Sequence, residues 1–150
     1  MPYCTSPCEK CSSSPTVCLS CLSSPNNYSL YYASNNSCLN SCPSGFYSNS
    51  SICTNCVTPC FYCNSINNCS SCINGTWLYS TNNTCMGVCP SGFYNDSTGV
   101  CLACVSPCLT CLSASSCQSC VSNTYLSNTS CINGSTCPNG TYANSSLLIC

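Results

Sequence analysis

Residues 56–72 read CVTPCFYCNSINNCSSC. Cys56, Cys60, Cys63, Cys69 and Cys72 crowd into this stretch, with Pro59 among them. Proline fixes φ, removes a backbone donor and keeps the preceding residue extended, so no regular helix runs through it. Moving outward, Cys85, Cys89 and Cys101 complete a block of eight. The same order stands upstream at Cys4, Cys8, Cys11, Cys18, Cys21, Cys38, Cys42 and Cys53. It stands again downstream at Cys104, Cys108, Cys111, Cys117, Cys120, Cys131, Cys137 and Cys150. Each block reads C-x3-C-x2-C-x5/6-C-x2-C-x10–16-C-x3/5-C-x10–12-C, and two residues separate neighbours. A period of about 48 residues marks a repeat array. All 24 cysteines fall within the pattern, which argues for complete pairing.

Such a cysteine content is that of a disulfide scaffold. Disulfides persist in oxidising compartments, so the expected location is extracellular or at the cell surface. No run approaches the ~20 apolar residues that cross a bilayer. Met1-Pro2-Tyr3 leads straight to the first cysteine, with no secretion signal. The expectation is a leader already removed, or a window of a longer protein. The charged side chains are Glu9, Lys10 and Asp96, and there is no histidine. Net charge near zero promotes association, so solubility must come from another source.

N-linked glycans are the expected source. Sequons lie at Asn27, Asn35, Asn49, Asn68, Asn74, Asn82, Asn95, Asn128, Asn133, Asn139 and Asn144. Asn35, Asn82 and Asn128 each come shortly before the sixth cysteine of a block. Asn49, Asn95 and Asn144 each follow that block's tyrosine. Equivalent placement would set bulky, hydrophilic sugars in rows. The alternative is that Asn and Ser are simply turn formers. Asn68 is a special case, because Cys69 fills its middle position.

Within a block, aromatic residues bounded by Asn/Ser clusters read as short strands. Trp77-Leu78-Tyr79 is one such segment, with Leu30 and Leu126 taken as the equivalents of its leucine. Cys89-Pro90-Ser91-Gly92-Phe93-Tyr94 is another, and it recurs from Cys42 to Tyr47 and, loosely, from Cys137 to Tyr142. Pro followed two residues later by Gly suits a tight turn feeding a strand. The reading is two small hairpins per block. The expected fold is small and disulfide-rich, with tandem repeats at 4–53, 56–101 and 104–150, short β-hairpins and loops, almost no helix, and an elongated rod. Units this small bury too little apolar surface to fold unaided. Each bridge across a short loop contributes roughly 2.5–3 kcal/mol in the chain-entropy account.

Eight cysteines allow 105 pairings, and spacing alone does not choose among them. The opening C-x3-C-x2-C-x5-C-x2-C, the longer loop with its leucine, and C-P-x-G-x-Y resemble the furin-like, or growth-factor-receptor-type, cysteine-rich repeat over nearly the whole chain. Low charge and the Ser/Asn/Thr excess make it look most like the arrays in large cysteine-rich surface proteins of single-celled eukaryotes. Block three departs from the motif, with Thr141 in place of Phe. The resemblance implies first-to-third, second-to-fourth, fifth-to-sixth and seventh-to-eighth bridges. For block one these are Cys4–Cys11, Cys8–Cys18, Cys21–Cys38 and Cys42–Cys53. For block two they are Cys56–Cys63, Cys60–Cys69, Cys72–Cys85 and Cys89–Cys101. For block three they are Cys104–Cys111, Cys108–Cys117, Cys120–Cys131 and Cys137–Cys150.

Composition weighs against several functions. General acid–base catalysis needs ionisable groups placed together, and three scattered charges do not supply them. A redox C-x-x-C needs a thiolate near cations or a helix N-terminus. Nucleic acid needs many cations, and Lys10 stands alone. Eight C-x-x-C pairs could hold zinc as Cys4 sites, but such thiolate sites usually sit beside Lys or Arg. The expectation is therefore no enzyme, no metal and no cofactor beyond N-linked glycan. Two readings remain. One is a structural or adhesive module of a coat, stalk or head-to-tail filament, associating with itself. The other is a receptor-type ectodomain recognising a peptide or protein. A recognition face would carry a patch unique to one repeat. The aromatic residues recur in all three blocks, which favours the structural role.

Overall fold

A computed structural model describes residues 3–23 and 28–150. The described chain is built from short β-strands with no α-helix. Block one opens with β1 (Cys8–Cys11) and β2 (Cys18–Cys21), continues with β3 (Leu30–Tyr32) and β4 (Ser37–Leu39), and ends with β5 (Phe46–Asn49) and β6 (Ile52–Asn55). Block two carries β7 (Cys60–Ser65), β8 (Asn68–Cys72), β9 (Trp77–Tyr79), β10 (Thr84–Met86), β11 (Phe93–Asn95) and β12 (Cys101–Ala103). Block three carries β13 (Cys108–Ser113), β14 (Ser116–Cys120), β15 (Thr124–Ser127), β16 (Ser130–Asn133) and a 3-10 turn over Gly134–Thr136. The chain divides into two compact units, Met1–Ile73 and Asn74–Cys150, so the division falls inside the second cysteine block.

The two-hairpin reading is corrected to three in blocks one and two. The proline-bearing opening segment is itself a hairpin, β1–β2, β7–β8 or β13–β14. Its strands are dominated by close-set cysteines, and only block two adds aromatic residues, Phe61 and Tyr62. One bridge crosses from strand to strand in each, Cys8–Cys18, Cys60–Cys69 and Cys108–Cys117. Cys11 stands opposite Cys18, Cys63 opposite Cys69, and Cys111 opposite Cys117, with register shifts between the rungs.

The middle hairpin also shifts one equivalence. Tyr31, Leu78 and Leu126 each pair with the sixth cysteine of their block, Cys38, Cys85 and Cys131. Leu30 therefore matches Trp77 and Tyr125, not Leu78 and Leu126. Block one carries Tyr31 at the position of that leucine, so matching leucine to leucine misplaces the register by one.

The C-P-x-G turn behaves as the sequence suggests. Phe46, Phe93 and Thr141 donate their backbone N–H to the carbonyls of Pro43, Pro90 and Pro138 at 3.1, 3.0 and 3.0 Å. Gly45, Gly92 and Gly140 take φ of 83°, 85° and 86°, as the third position of such a turn requires. Their blocks diverge afterwards. The turn feeds the hairpins β5–β6 and β11–β12, whereas in block three only the isolated bridge Asn144↔Ile149 forms.

The middle and last parts of each block are tied in one way. Tyr31, Leu78 and Leu126 donate N–H to the carbonyls of Ser51, Gly99 and Leu148, all at 2.8 Å. In block one this contact joins four strands in the order β4-β3-β6-β5. The junction to a following block is also repeated. Cys56 donates to the Gly45 carbonyl at 2.7 Å, and Cys104 donates to that of Gly92 at 2.8 Å.

The interior is cystine. Among the described residues, every buried apolar side chain is a cysteine. One cluster gathers Cys8, Cys18 and Cys38 with Tyr31 against them. Another gathers Cys108, Cys111 and Cys117, with Tyr94 and Leu126 packed on it.

Candidate glycan-acceptor sites

Two recurrent turns position the sequons. The middle hairpin folds back on the opening one, so Cys18 donates N–H to the Asn36 carbonyl and Cys117 to that of Thr129, both at 2.8 Å. That contact projects the turn itself outward. Asn35, Asn82 and Asn128 sit in these turns and are exposed. Left-handed residues close them, with φ of 53° at Asn36, 54° at Asn83 and 56° at Asn128. Asparagine tolerates that region better than other side chains do, which explains the Asn-rich sequence.

The sequon's own hydroxyl is engaged at two of these tips. Ser37 Oγ donates to Asn35 Oδ1 at 2.5 Å, and Thr84 Oγ1 donates to Asn82 Oδ1 at 2.6 Å. These bonds occupy the carbonyl oxygen, not the amide nitrogen to which a sugar attaches. The hydroxyl contact is a feature that spacing alone does not reveal.

The second recurrent position is the last strand residue before the final turn of a block. Asn49 ends β5 and Asn95 ends β11, and both are exposed. Asn144 is half-buried, and its Oδ1 accepts the backbone N–H groups of Ser146 and Leu147 at 3.0 and 3.1 Å. Asn74, Asn133 and Asn139 are exposed as well. Asn68 is half-buried within β8, where Asn64 Nδ2 donates to its Oδ1 at 3.4 Å. Asn27 lies outside the described residues.

The cysteine sites are brought together as bridges. Block one joins Cys4–Cys11, Cys8–Cys18, Cys21–Cys38 and Cys42–Cys53. Block two joins Cys56–Cys63, Cys60–Cys69 and Cys89–Cys101, and Cys72 and Cys85 are disulfide-bonded too. Block three joins Cys104–Cys111, Cys108–Cys117, Cys120–Cys131 and Cys137–Cys150. Among the described residues, no cysteine is free. The sulfurs of Cys108, Cys117 and Cys131 lie within 4.8 Å of one another, close enough to share an ion if they were thiolates. As bridges they lack the anionic charge that zinc requires.

Trp77 is half-buried, and its Nε1 donates to the Asp96 carbonyl at 3.2 Å. The Asp96 carboxylate in turn organises the loop to β12. It accepts the Thr98 hydroxyl at 2.7 and 2.8 Å and the N–H groups of Thr98 and Val100, both at 3.0 Å. The Thr98 hydroxyl, and then the Val100 N–H, hold this carboxyl below the usual range.

Two further features were missed in the sequence. Tyr32 meets Phe46 edge-on at 4.9 Å, and Tyr79 meets Phe93 the same way at 5.0 Å. Opening hairpins also differ outside. Phe61 and Leu109 are exposed just after the second cysteine, where block one carries Glu9. Among the described residues, no helix is long and apolar enough to cross a membrane.

Compared with known families and curated proteins, the chain matches no family model and no curated relative. Its function therefore rests on the geometry. A fold held throughout by disulfides fits an extracellular module.

Proposed function

We propose that the chain is a structural or adhesive module of an extracellular coat, stalk or filament, cross-linked internally by cystine and kept in solution by N-linked sugar. One observation carries this reading. Hairpin turns in all three blocks present a sequon asparagine at an equivalent, exposed position: Asn35, Asn82 and Asn128. A nearly uncharged surface needs such cover, because net charge near zero favours association. The repetition itself supports a structural role over a single recognition site. Repeat arrays build extended surfaces from like units, whereas binding energy concentrates in a few distinctive residues.

Secreted material made by a glycosylating host tests the proposal. Electron micrographs should show polymers or laterally associated particles, and enzymatic removal of the N-glycans should cause precipitation. Monodisperse monomers whose solubility survives sugar removal would overturn it.

A further inference from the structure

Three Asn-Gly pairs occur in the sequence, at Asn74-Gly75, Asn133-Gly134 and Asn139-Gly140, and each is followed by Ser or Thr. Every Asn-Gly pair in this chain is thus also a sequon. Asn-Gly is chemically fragile, because glycine has no side chain to hinder its backbone nitrogen or restrict its rotation. The deprotonated Gly nitrogen attacks the Asn Cγ, a C–N bond forms, and ammonia leaves. Water then opens the resulting succinimide at either carbonyl, giving aspartate or isoaspartate. The step consumes one water and releases one ammonia, with no change in oxidation state.

The three sites differ in geometry. Gly75 and Gly140 lie in turns with φ of 84° and 86°, and nothing stands within 4 Å of where a side chain would begin. Asn74 and Asn139 are exposed beside them. Gly134 opens the 3-10 turn, and a Cβ there would meet the Tyr125 ring at 2.7 Å and Ala143 at 3.1 Å. Asn133 is fixed by its pairing with Thr124, and its carbonyl accepts the Thr136 hydroxyl at 2.7 Å. Cyclisation swings the Asn side chain onto the next nitrogen and needs backbone freedom. Open turns provide that freedom; a paired strand end followed by a glycine held against an aromatic ring does not.

We infer that Asn74 and Asn139 are sites of spontaneous succinimide formation, that Asn133 is protected by its strand pairing and by the packing of Gly134, and that sugar on the first two blocks the reaction. The shielding half rests on the glycan reading above. A glycosylated amide would have to expel a bulky sugar amine instead of ammonia, and the sugar screens Cγ. The consequence is large for this chain, because each conversion adds a negative charge to a surface that holds only Glu9, Lys10 and Asp96.

The test uses the secreted, disulfide-bonded protein and the variants Thr76→Ala, Ser135→Ala and Thr141→Ala. Each variant removes one sequon and keeps its Asn-Gly pair. All four proteins are held at mildly alkaline pH and body temperature, then digested and weighed peptide by peptide. Asn74 should gain one mass unit and one negative charge in Thr76→Ala, and Asn139 should do so in Thr141→Ala, each as a mixture of aspartate and isoaspartate. Asn133 should stay unchanged in Ser135→Ala, and the wild type should keep intact sugar-bearing asparagine at positions 74 and 139. Unchanged Asn74 and Asn139 in their variants, or an Asn133 that converts as fast, would overturn the inference. Sugar-free Asn74 and Asn139 in the wild type would overturn the shielding and the glycan reading at those positions. Conversion in the variants is read separately from the same digests.

Discussion

At the scale of single residues, cysteine replaces the oily side chain. Cys120 is 1 % exposed and Cys18 is 2 % exposed, whereas Leu112 is 68 % exposed and Val88 is 79 % exposed. A bridged sulfur pair is small and apolar and reaches its own partner, so it is buried before any leucine is. Charge is used at one place with effect. Asp96 holds its loop by accepting Thr98 and Val100, and Trp77 reads that loop through the Asp96 carbonyl. A carboxyl whose folded value is lowered adds stability above its unfolded value and loses it as pH falls through the folded value. The fluorescence of Trp77, the sole tryptophan, should therefore hold steady at neutral pH and change as pH drops below about 4. Asp96→Asn should flatten that acid response. A wild-type titration without it would show that the carboxylate does not order the loop. The cysteine positions were readable in the sequence because their register repeats. Leu148, with φ of 52°, was not, since nothing about a leucine announces the left-handed region.

Elements show why the third block ends differently. In blocks one and two, the last residue of the middle strand places a ring against the phenylalanine after the C-P-x-G turn, Tyr32 on Phe46 and Tyr79 on Phe93. In block three both partners are gone together. Ser127 pairs with Ser130 where Tyr79 pairs with Thr84, and Thr141 stands where Phe93 does. The last hairpin is reduced to a bridge at the same point. An edge-to-face pair contributes about 1 kcal/mol beyond its burial, which is decisive for a hairpin of a few residues. Phe93→Ala should therefore open β11–β12 by about 2 kcal/mol, seen as faster amide exchange at Tyr94 and Leu102. Ser127→Tyr with Thr141→Phe should slow exchange near Asn144 and Ile149 by more than the two single changes combined. Additive or absent effects would place the difference elsewhere. The middle and last hairpins were legible through their aromatic residues and their Pro-x-Gly turn. The opening hairpin was not, because its proline, close-set cysteines and short polar loop read as irregular chain.

For the whole molecule, locality is the governing property. Among the bridges described above, the longest separation between partners is 17 residues, at Cys21–Cys38. The compact units nevertheless ignore the cysteine blocks, since the opening hairpin of block two belongs with block one. Block-to-block bonds explain this. Cys56 reaches back to Gly45, and the Tyr62 and Ser44 hydroxyls meet at 3.0 Å, so a block's last turn grips the next opening hairpin. The eight-cysteine count is legible from sequence, but that grip depends on carbonyls and hydroxyls that no spacing records. Stability built from local bridges should fail locally. Each bridge closing a loop of this size contributes about 3 kcal/mol, and its loss leaves distant bridges untouched. Cys137–Cys150 has both partners half-buried and no hairpin around it, while Cys8–Cys18 and Cys108–Cys117 are buried at both ends. Mild reductant should therefore open Cys137–Cys150 first and the two buried bridges last, with strand content falling in steps. Alkylation of the new thiols followed by peptide mass measurement gives the order. Simultaneous loss of all bridges would mean that the blocks share one cooperative core, and the repeat-by-repeat account of this fold would then be wrong.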